Sequence, residues 1–360
     1  MPEELLELNE AADAFTRLEE WLSARGFFAV GAEVVADLYL GYGLSTSIRR
    51  TRSPGPPEPC PALPLLACRV REGRSDAHRT QRRKGTFEIG EWERSWTAAE
   101  YRGAIDEVRS AIARGDVYQV NLVQHLQAPF SGDSEALADR LAVLRPLHRT
   151  PFAADAWTVV SASPELFLAR RGDRIWTMPI KGTRPRGAAA ELRRSEKDAA
   201  EHVMIVDLER NDLSRVCAAG TVRWPELMAT RELAGVEHMV STVEGTLRSG
   251  VRLAEILEAT FPGGSVTGAP KIAAVDLIAE HEPVGRGASM GALGRIHGSG
   301  DFELALTIRT FAIAEGVIHL WVGGGIVWDS DPAMEVEESW TKARPLLEAV
   351  GSRLPEAAFA

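Results

Sequence analysis

The chain has 360 residues, 45% of them hydrophobic and 26% charged. That length suits one large or two medium domains, and the composition excludes wholesale disorder, collagen and coiled coil. The net charge of −10 argues against a general nucleic-acid binder, which carries a basic face. Of 41 basic residues only five are lysines, Lys84, Lys181, Lys197, Lys271 and Lys342. Codon bias accounts for such a ratio, yet each lysine can lose its proton and act as a nucleophile where arginine cannot.

In chain order, apolar residues at Leu5, Leu6, Leu8, Ala12, Phe15, Leu18 and Trp21 predict an amphipathic helix with a short strand or two, stopped at Gly26. The run Phe27 to Leu44 is broken by Glu33 and Asp37, which excludes a membrane-spanning helix. The opening MPEELLELNEAADAF lacks a signal-peptide core. Cys60, Cys68 and Cys217 are odd in number and lack zinc spacing, so a soluble protein of the reducing cytoplasm is expected. Residues 50–84 are rich in Pro and Arg and read as a mobile loop within a short N-terminal part, 1–92.

From Trp92 the texture is dense. A helix is predicted over 97–115, then a strand through DVYQVNLVQHLQAPF and strands at 157–161, 165–170 and 174–178. A helix follows over about 195–210, with Ser195 and Asp198 as a capping box. Short strands near 221–224 and 239–248, helices at 252–260 and up to about 281, strands at 288–297, 302–314 and 317–327, and a helix at 333–350 complete the pattern. Hairpins with interspersed helices predict an α+β fold with layered, mostly antiparallel sheets, continuous over 93–350 and forming one domain with the N-terminal part.

Two helices carry acidic faces. Asp198 and Glu201 lie three apart; Glu335, Glu338 and Lys342 fall at i, i+3 and i+7. Four carboxylates from two helices make an oxygen-only site for a hard cation such as Mg²⁺, or two ordinary solvated faces. Lys181, between Ile180 and Gly182, is either a desolvated nucleophile or a strand-end lysine facing water. FPGGSVTGAPK lacks the Lys-Ser/Thr ending of a nucleotide loop. The glycines of VGGGIVWDSD can hold a carboxylate or make a turn. His238 alone is as easily structural as catalytic.

The ordered run GDVYQVNL, SPELFL, PIKGTRPRG, KDAAEHVMIVDLERNDLSRVC, VEHMVSTVEG, FPGGSVTGAPK, ALTIRTF and GGGIVWDSDPAMEVEESWTKA resembles the chorismate-utilising enzymes over roughly 93–350. The resemblance implies their fold and a Mg²⁺ that binds the ring carboxylate of chorismate. It implies Glu201, Glu335 and Glu338 as metal ligands, with Asp198 beside them. It also implies Glu165 as the general acid for the 4-hydroxyl, and His238 as an active-site histidine. Gln119, Thr183, Thr267, Arg309, Lys342 and Gly323, Gly324 and Gly325 would meet substrate. Water-adding members carry a lysine where this chain has Gln119. PIKGT, with Lys181, resembles the aminodeoxychorismate synthase type, in which the lysine attacks C2 before ammonia adds at C4; PIAGT is the anthranilate form. The resemblance therefore implies 4-amino-4-deoxychorismate as product, with ammonia from a separate glutaminase subunit. Amination at C2, or a non-catalytic homologue, are the competing readings. Ser289 stands where the family usually has an aromatic residue, which implies an altered pocket, and no LLES-like segment points to a regulatory tryptophan.

Overall fold

A computed structural model of the chain describes residues 4–29, 31–51, 53–72, 85–233 and 236–353. Its strands form two sheets, and every pairing among them is antiparallel. The first contains β1 (Glu4–Leu8), β2 (Val34–Leu40), β3 (Leu66–Glu72), β9 (Leu166–Arg171), β10 (Arg174–Met178), β11 (Ile180–Pro185), β12 (Arg223–Leu233), β13 (Val236–Thr246), β15 (Ala292–His297) and β16 (Phe302–Leu306). The second contains β4 (Phe87–Ile89), β5 (Glu93–Arg94), β6 (Gln119–Gly132), β7 (Phe152–Ala153), β8 (Trp157–Ser161), β14 (Gly268–Ala269), β17 (Thr310–Ala314) and β18 (Val317–Ile326). One buried cluster draws on both, with Leu38, Leu168 and Phe302 from the first sheet and Leu122, Val159 and Leu320 from the second.

The helices are α1 (Ala14–Ser23), α2 (Ala98–Arg114), α3 (Ser134–Leu141), α4 (Ala189–Arg194), α5 (Glu196–Ser214), α6 (Leu253–Thr260), α7 (Lys271–His281) and α8 (Pro332–Ala349). Helix α2 shows how local chemistry sets its ends. The Thr97 hydroxyl accepts from the Glu100 N–H while Glu100 reaches back to the Thr97 N–H, and Gly115 closes the other end at φ 80. That reciprocal cap satisfies donors the helix leaves open, and the left-handed residue suits glycine. At α5, Ser195 accepts from the Asp198 N–H, but the return arm is absent because Asp198 turns to Arg184 at 2.7 Å.

Three segments differ from the sequence expectation. Leu5, Leu6 and Leu8 lie on β1, and of the expected positions only Phe15, Leu18 and Trp21 lie on a helix. Within the expected mobile loop, Cys60 and Leu63 are buried and Leu66–Glu72 forms β3, paired with both β1 and β2. Leu66, Cys68 and Val70 alternate inward while Arg71 meets Asp37 at 2.9 Å; a period-two strand hides inside an arginine-rich composition. Residues 73–84 of that loop lie outside the described residues. The expected single strand at 302–314 is two strands in different sheets, parted at Arg309, which adopts φ 52.

Strand β6 anchors the second sheet. It pairs with β18 along one edge, from Val120 with Ile326 to Pro129 with Val317, and its first eight residues are all buried. Those eight include Gln119, Asn121, Gln124 and His125, so polar side chains are placed where an alternating pattern predicts a wet face.

Candidate active site

The site begins at β11. Gly182 adopts φ 65 and interrupts the register between Lys181 and Thr183, a bulge that a side chain at 182 would strain. Lys181 is thereby held against α5, where its Nζ donates to Glu201 Oε1 at 2.8 Å and to the Ser265 carbonyl at 3.3 Å. Burial tends to lower the lysine pKa, but Glu201 above all, with Glu165 and Glu209, outweighs it and holds the ammonium above its ordinary value. So Lys181 is neither facing water nor a depressed amine in this arrangement; it is a half-buried ammonium. Glu201, likewise half-buried, is held below the usual carboxylate range by the same pair against its own desolvation. Gln119 adds its Nε2 to Glu201 Oε1 at 3.1 Å.

Glu165 sits at the foot of β9, 5% exposed. Burial raises its pKa, against the Ser265 hydroxyl at 2.9 Å, Lys181, the Ile180 N–H and Arg309. A carboxyl protonated above the usual range is what a general acid needs. The Ser265 hydroxyl favours the anion, so Ser265→Ala should move the Glu165 pKa further up. Activity that depends on the protonated acid is lost as pH rises through that pKa. The variant's alkaline limb in a kcat/KM–pH profile should therefore shift to higher pH; a shift to lower pH would contradict the assignment.

His238, on β13, is buried with Nδ1 3.2 Å from the Gly182 carbonyl, and burial lowers its pKa despite that carbonyl. Thr183 pairs with His238 across the ladder; its side chain lies outside the described structure.

On α8, Lys342 Nζ meets Glu338 at 2.8 Å and the Gly323 carbonyl at 3.0 Å, and this lysine, the first influence, lowers the Glu338 pKa. Glu335 is buried, which raises its pKa, and accepts from the Ser330 hydroxyl at 2.6 Å. Gly323, Gly324 and Gly325 end β18 beyond Leu320, where β17 has stopped pairing. A Cβ on Gly324 would lie 3.2 Å from Lys342 Nζ, 3.5 Å from Glu335 and 3.6 Å from Glu338; one on Gly325 would lie 3.0 Å from Glu201 and collide with the Gln119 amide. Glycine here permits three carboxylates to close on the backbone.

That convergence and the all-oxygen donor set suit Mg²⁺ in kind. Among the described residues, however, no three His, Cys, Asp or Glu side chains are assembled as a finished metal site. Each carboxylate is instead compensated within the chain, and Asp198 faces Arg184. Three of the four described lysines serve this purpose, Lys181 with Glu201, Lys197 with Glu335 at 3.9 Å and Lys342 with Glu338, while Lys271 pairs with Asp212 at 2.5 Å, outside this set. Lys84 lies outside the described residues.

Two further expected positions behave differently. The Thr267 hydroxyl donates to the Gly263 carbonyl at 2.7 Å, so that donor is already used. Arg309 is half-buried in its left-handed turn, where burial lowers its pKa against the pull of Glu165; a desolvated guanidinium beside the acid suits an incoming carboxylate. Ser289 is wholly buried, and its hydroxyl has no partner among the described residues. Sequence reasoning passed over Ser265, which touches both Lys181 and Glu165, and Glu209, whose pKa burial raises strongly and whose carboxylate accepts from Thr177 at 3.1 Å. Ser265 lies in the Gly-rich segment, the one signal that marked it.

The family model described as chorismate binding enzyme matches residues 60–348, and the chain belongs to that family. It is 44% identical to anthranilate synthase component 1 of Thermus thermophilus over 261 residues, 69% of this chain and 55% of that one. It is 41% identical to aminodeoxychorismate synthase component 1 of Klebsiella aerogenes over 273 residues, 72% and 60% of the two chains. The match thus spans little more than half the length of these relatives. In fold it is similar to anthranilate synthase component I of Streptococcus pneumoniae, with TM-score 0.78, 23% identity, and coverage of 96% of this chain and 92% of that one. A putative 2,3-dihydroxybenzoate-specific isochorismate synthase of Bacillus anthracis is similar at TM-score 0.74 and 24% identity, covering 97% and 92%.

Proposed function

We propose that the chain is the chorismate-aminating component of an aminodeoxychorismate synthase. It would make 4-amino-4-deoxychorismate, the precursor of 4-aminobenzoate and folate, from chorismate and ammonia that a separate glutaminase subunit supplies. One observation carries this reading: Ser265 joins the candidate nucleophile to the candidate acid. Its carbonyl accepts from Lys181 at 3.3 Å while its hydroxyl donates to Glu165 at 2.9 Å. Amine and acid therefore sit within one residue's reach, as a substitution that forms one bond while expelling a hydroxyl requires.

In this mechanism the Lys181 ammonium first releases its extra proton to water. The free amine then bonds to C2 of the ring as the C4–O bond breaks, and Glu165 protonates the departing hydroxyl, which leaves as water. Ammonia then bonds to C4, the C2–N bond breaks, and a proton from the ammonia nitrogen restores Glu165. Arg309, Lys342 and the backbone amides of Gly323 to Gly325, with Thr183 and Thr267, would hold the substrate carboxylates, and His238 would line the same pocket. Bound by Glu201, Glu335 and Glu338, with Asp198 nearby, Mg²⁺ would hold the ring carboxylate and draw off the negative charge that keeps Lys181 protonated.

The relative at 44% identity named anthranilate synthase component 1 favours a second reading, amination at C2 to anthranilate or 2-amino-2-deoxyisochorismate. Lys181 in PIKGT supports the first. The deciding experiment incubates the protein with chorismate, Mg²⁺ and ammonium chloride and identifies products by mass and fluorescence. 4-Amino-4-deoxychorismate is expected; anthranilate as the main product would falsify the choice. No helix among the described residues is long and apolar enough to cross a membrane.

A further inference from the structure

Glu165 can donate a proton only while it holds one, yet its polar surroundings favour the anion. The Ser265 hydroxyl, Lys181, the Ile180 N–H and Arg309 all act in that direction. Burial opposes them, and a second buried carboxyl stands behind the same segment. Glu209, on α5 and 8% exposed, lines a narrow hollow with Thr177, Gly264 and the Phe167–Leu168 stretch of β9 just beyond Glu165. A Cβ on Gly264 would lie 3.6 Å from Glu209 Cγ, and the next residue, Ser265, is the one that donates to Glu165 at 2.9 Å. Glu209 thus packs against the two segments that hold the acid. Its carboxylate accepts from the Thr177 hydroxyl at 3.1 Å. Lys271 directs its ammonium elsewhere, to Asp212 at 2.5 Å and the Thr260 carbonyl at 3.0 Å. The charged groups that face Glu209 are Glu165 from β9, Asp212 from its own helix, Lys271 from α7 and Lys181 from β11. Burial first, then the Glu165 charge, raises the Glu209 pKa, and such repulsion acts on both partners.

We propose that Glu209 is a positioning residue for the general acid: packed behind one segment, the carboxyls of Glu209 and Glu165 share a proton, which keeps Glu165 able to donate where its own contacts would strip it. The proposal rests on the acid role given to Glu165 above and deepens it. Two neighbouring buried carboxyls resist ionising together, so the last proton leaves the pair later than it would leave either group alone.

The test reads the alkaline limb of kcat/KM against pH in the full chain with chorismate, Mg²⁺ and ammonium chloride, counting whichever aminated product forms. Glu209→Gln keeps the shape and an acceptor for Thr177 but cannot ionise. It should move the limb about one pH unit lower, the direction opposite to Ser265→Ala. A lower kcat/KM with the limb unmoved, or a limb at higher pH, overturns the proposal. A second measurement needs no turnover: the infrared absorption of protonated carboxyls, followed across pH. Difference spectra against the double variant, Glu165→Gln with Glu209→Gln, isolate the two groups. The last proton of the wild-type pair should leave at higher pH than the one proton that remains in either single variant. Equal values in the wild type and Glu165→Gln overturn the shared proton even if amination proceeds. A later loss in the wild type, in a protein that forms no aminated product, keeps the pair and rejects only the amination reading.

Discussion

Lys181→Ala should lower kcat/KM for amination with ammonium by about 10³-fold or more, the scale lost when a covalent mechanism loses its nucleophile. Lys181→Arg is the sharper probe. Arginine can still pair with Glu201, as Lys181 does at 2.8 Å, but it cannot release a proton to become a nucleophile. If Lys181 only neutralises Glu201, the arginine variant should recover most of the activity. If it bonds to C2, arginine should be as poor as alanine. Intact-mass measurement of wild type with chorismate and no nitrogen source adds a third readout, an adduct of chorismate minus water that both variants lack. Near-wild-type turnover in Lys181→Arg would remove the covalent step.

Elements with strong local chemistry were legible from residues alone. Helix α2 declares itself through Thr97, Glu100 and Gly115, and α8 through its apolar spacing and acidic start. Burial was harder to read. On α5, Glu209 and Asp212 look like part of a solvated face, yet both are buried, because Thr177 and Lys271 reach them from segments distant in sequence. Spacing within one helix says nothing of such partners. The same limit applies at Lys181, where flanking Ile180 and Gly182 suggest desolvation alone and the opposing charge comes from Glu201, twenty positions on. Glu201, Glu335 and Glu338 do close on the glycine strand from α5 and α8, whereas Asp198, on the same helical face as Glu201, is drawn off by Arg184. Strand β3 was hidden for a compositional reason: Arg69 lies between Cys68 and Val70 and Arg71 follows, and their charges mask the alternation that buries Leu66, Cys68 and Val70.

Arg286→Ala should cost about 3–5 kcal/mol of stability, the scale of breaking a buried ion pair from one side. Arg286 is 2% exposed and forks onto Glu282 at 2.8 and 2.7 Å. Its remaining N–H groups hold the Asn121 and Val266 carbonyls at 2.6 and 2.9 Å. Removing it takes a donor from both carbonyls and, among the described residues, leaves the Glu282 carboxylate with the Val123 N–H, 3.0 Å away. Burial already raises the Glu282 pKa despite Arg286, so losing the arginine should raise it further. A group with a raised folded-state pKa favours the fold while protonated, so the variant's deficit should shrink on acidification and grow as pH rises through that pKa. Replacing both partners, Arg286→Met with Glu282→Leu, removes the lone charge and should restore much of the loss. Thermal midpoints of the single and double variants across pH decide the matter. A double variant no more stable than Arg286→Ala would show that the carbonyl contacts, rather than the ion pair, dominate. Either result bears on the site, because Arg286 fixes the backbone at Asn121, on the strand that carries Gln119, and at Val266, beside Thr267.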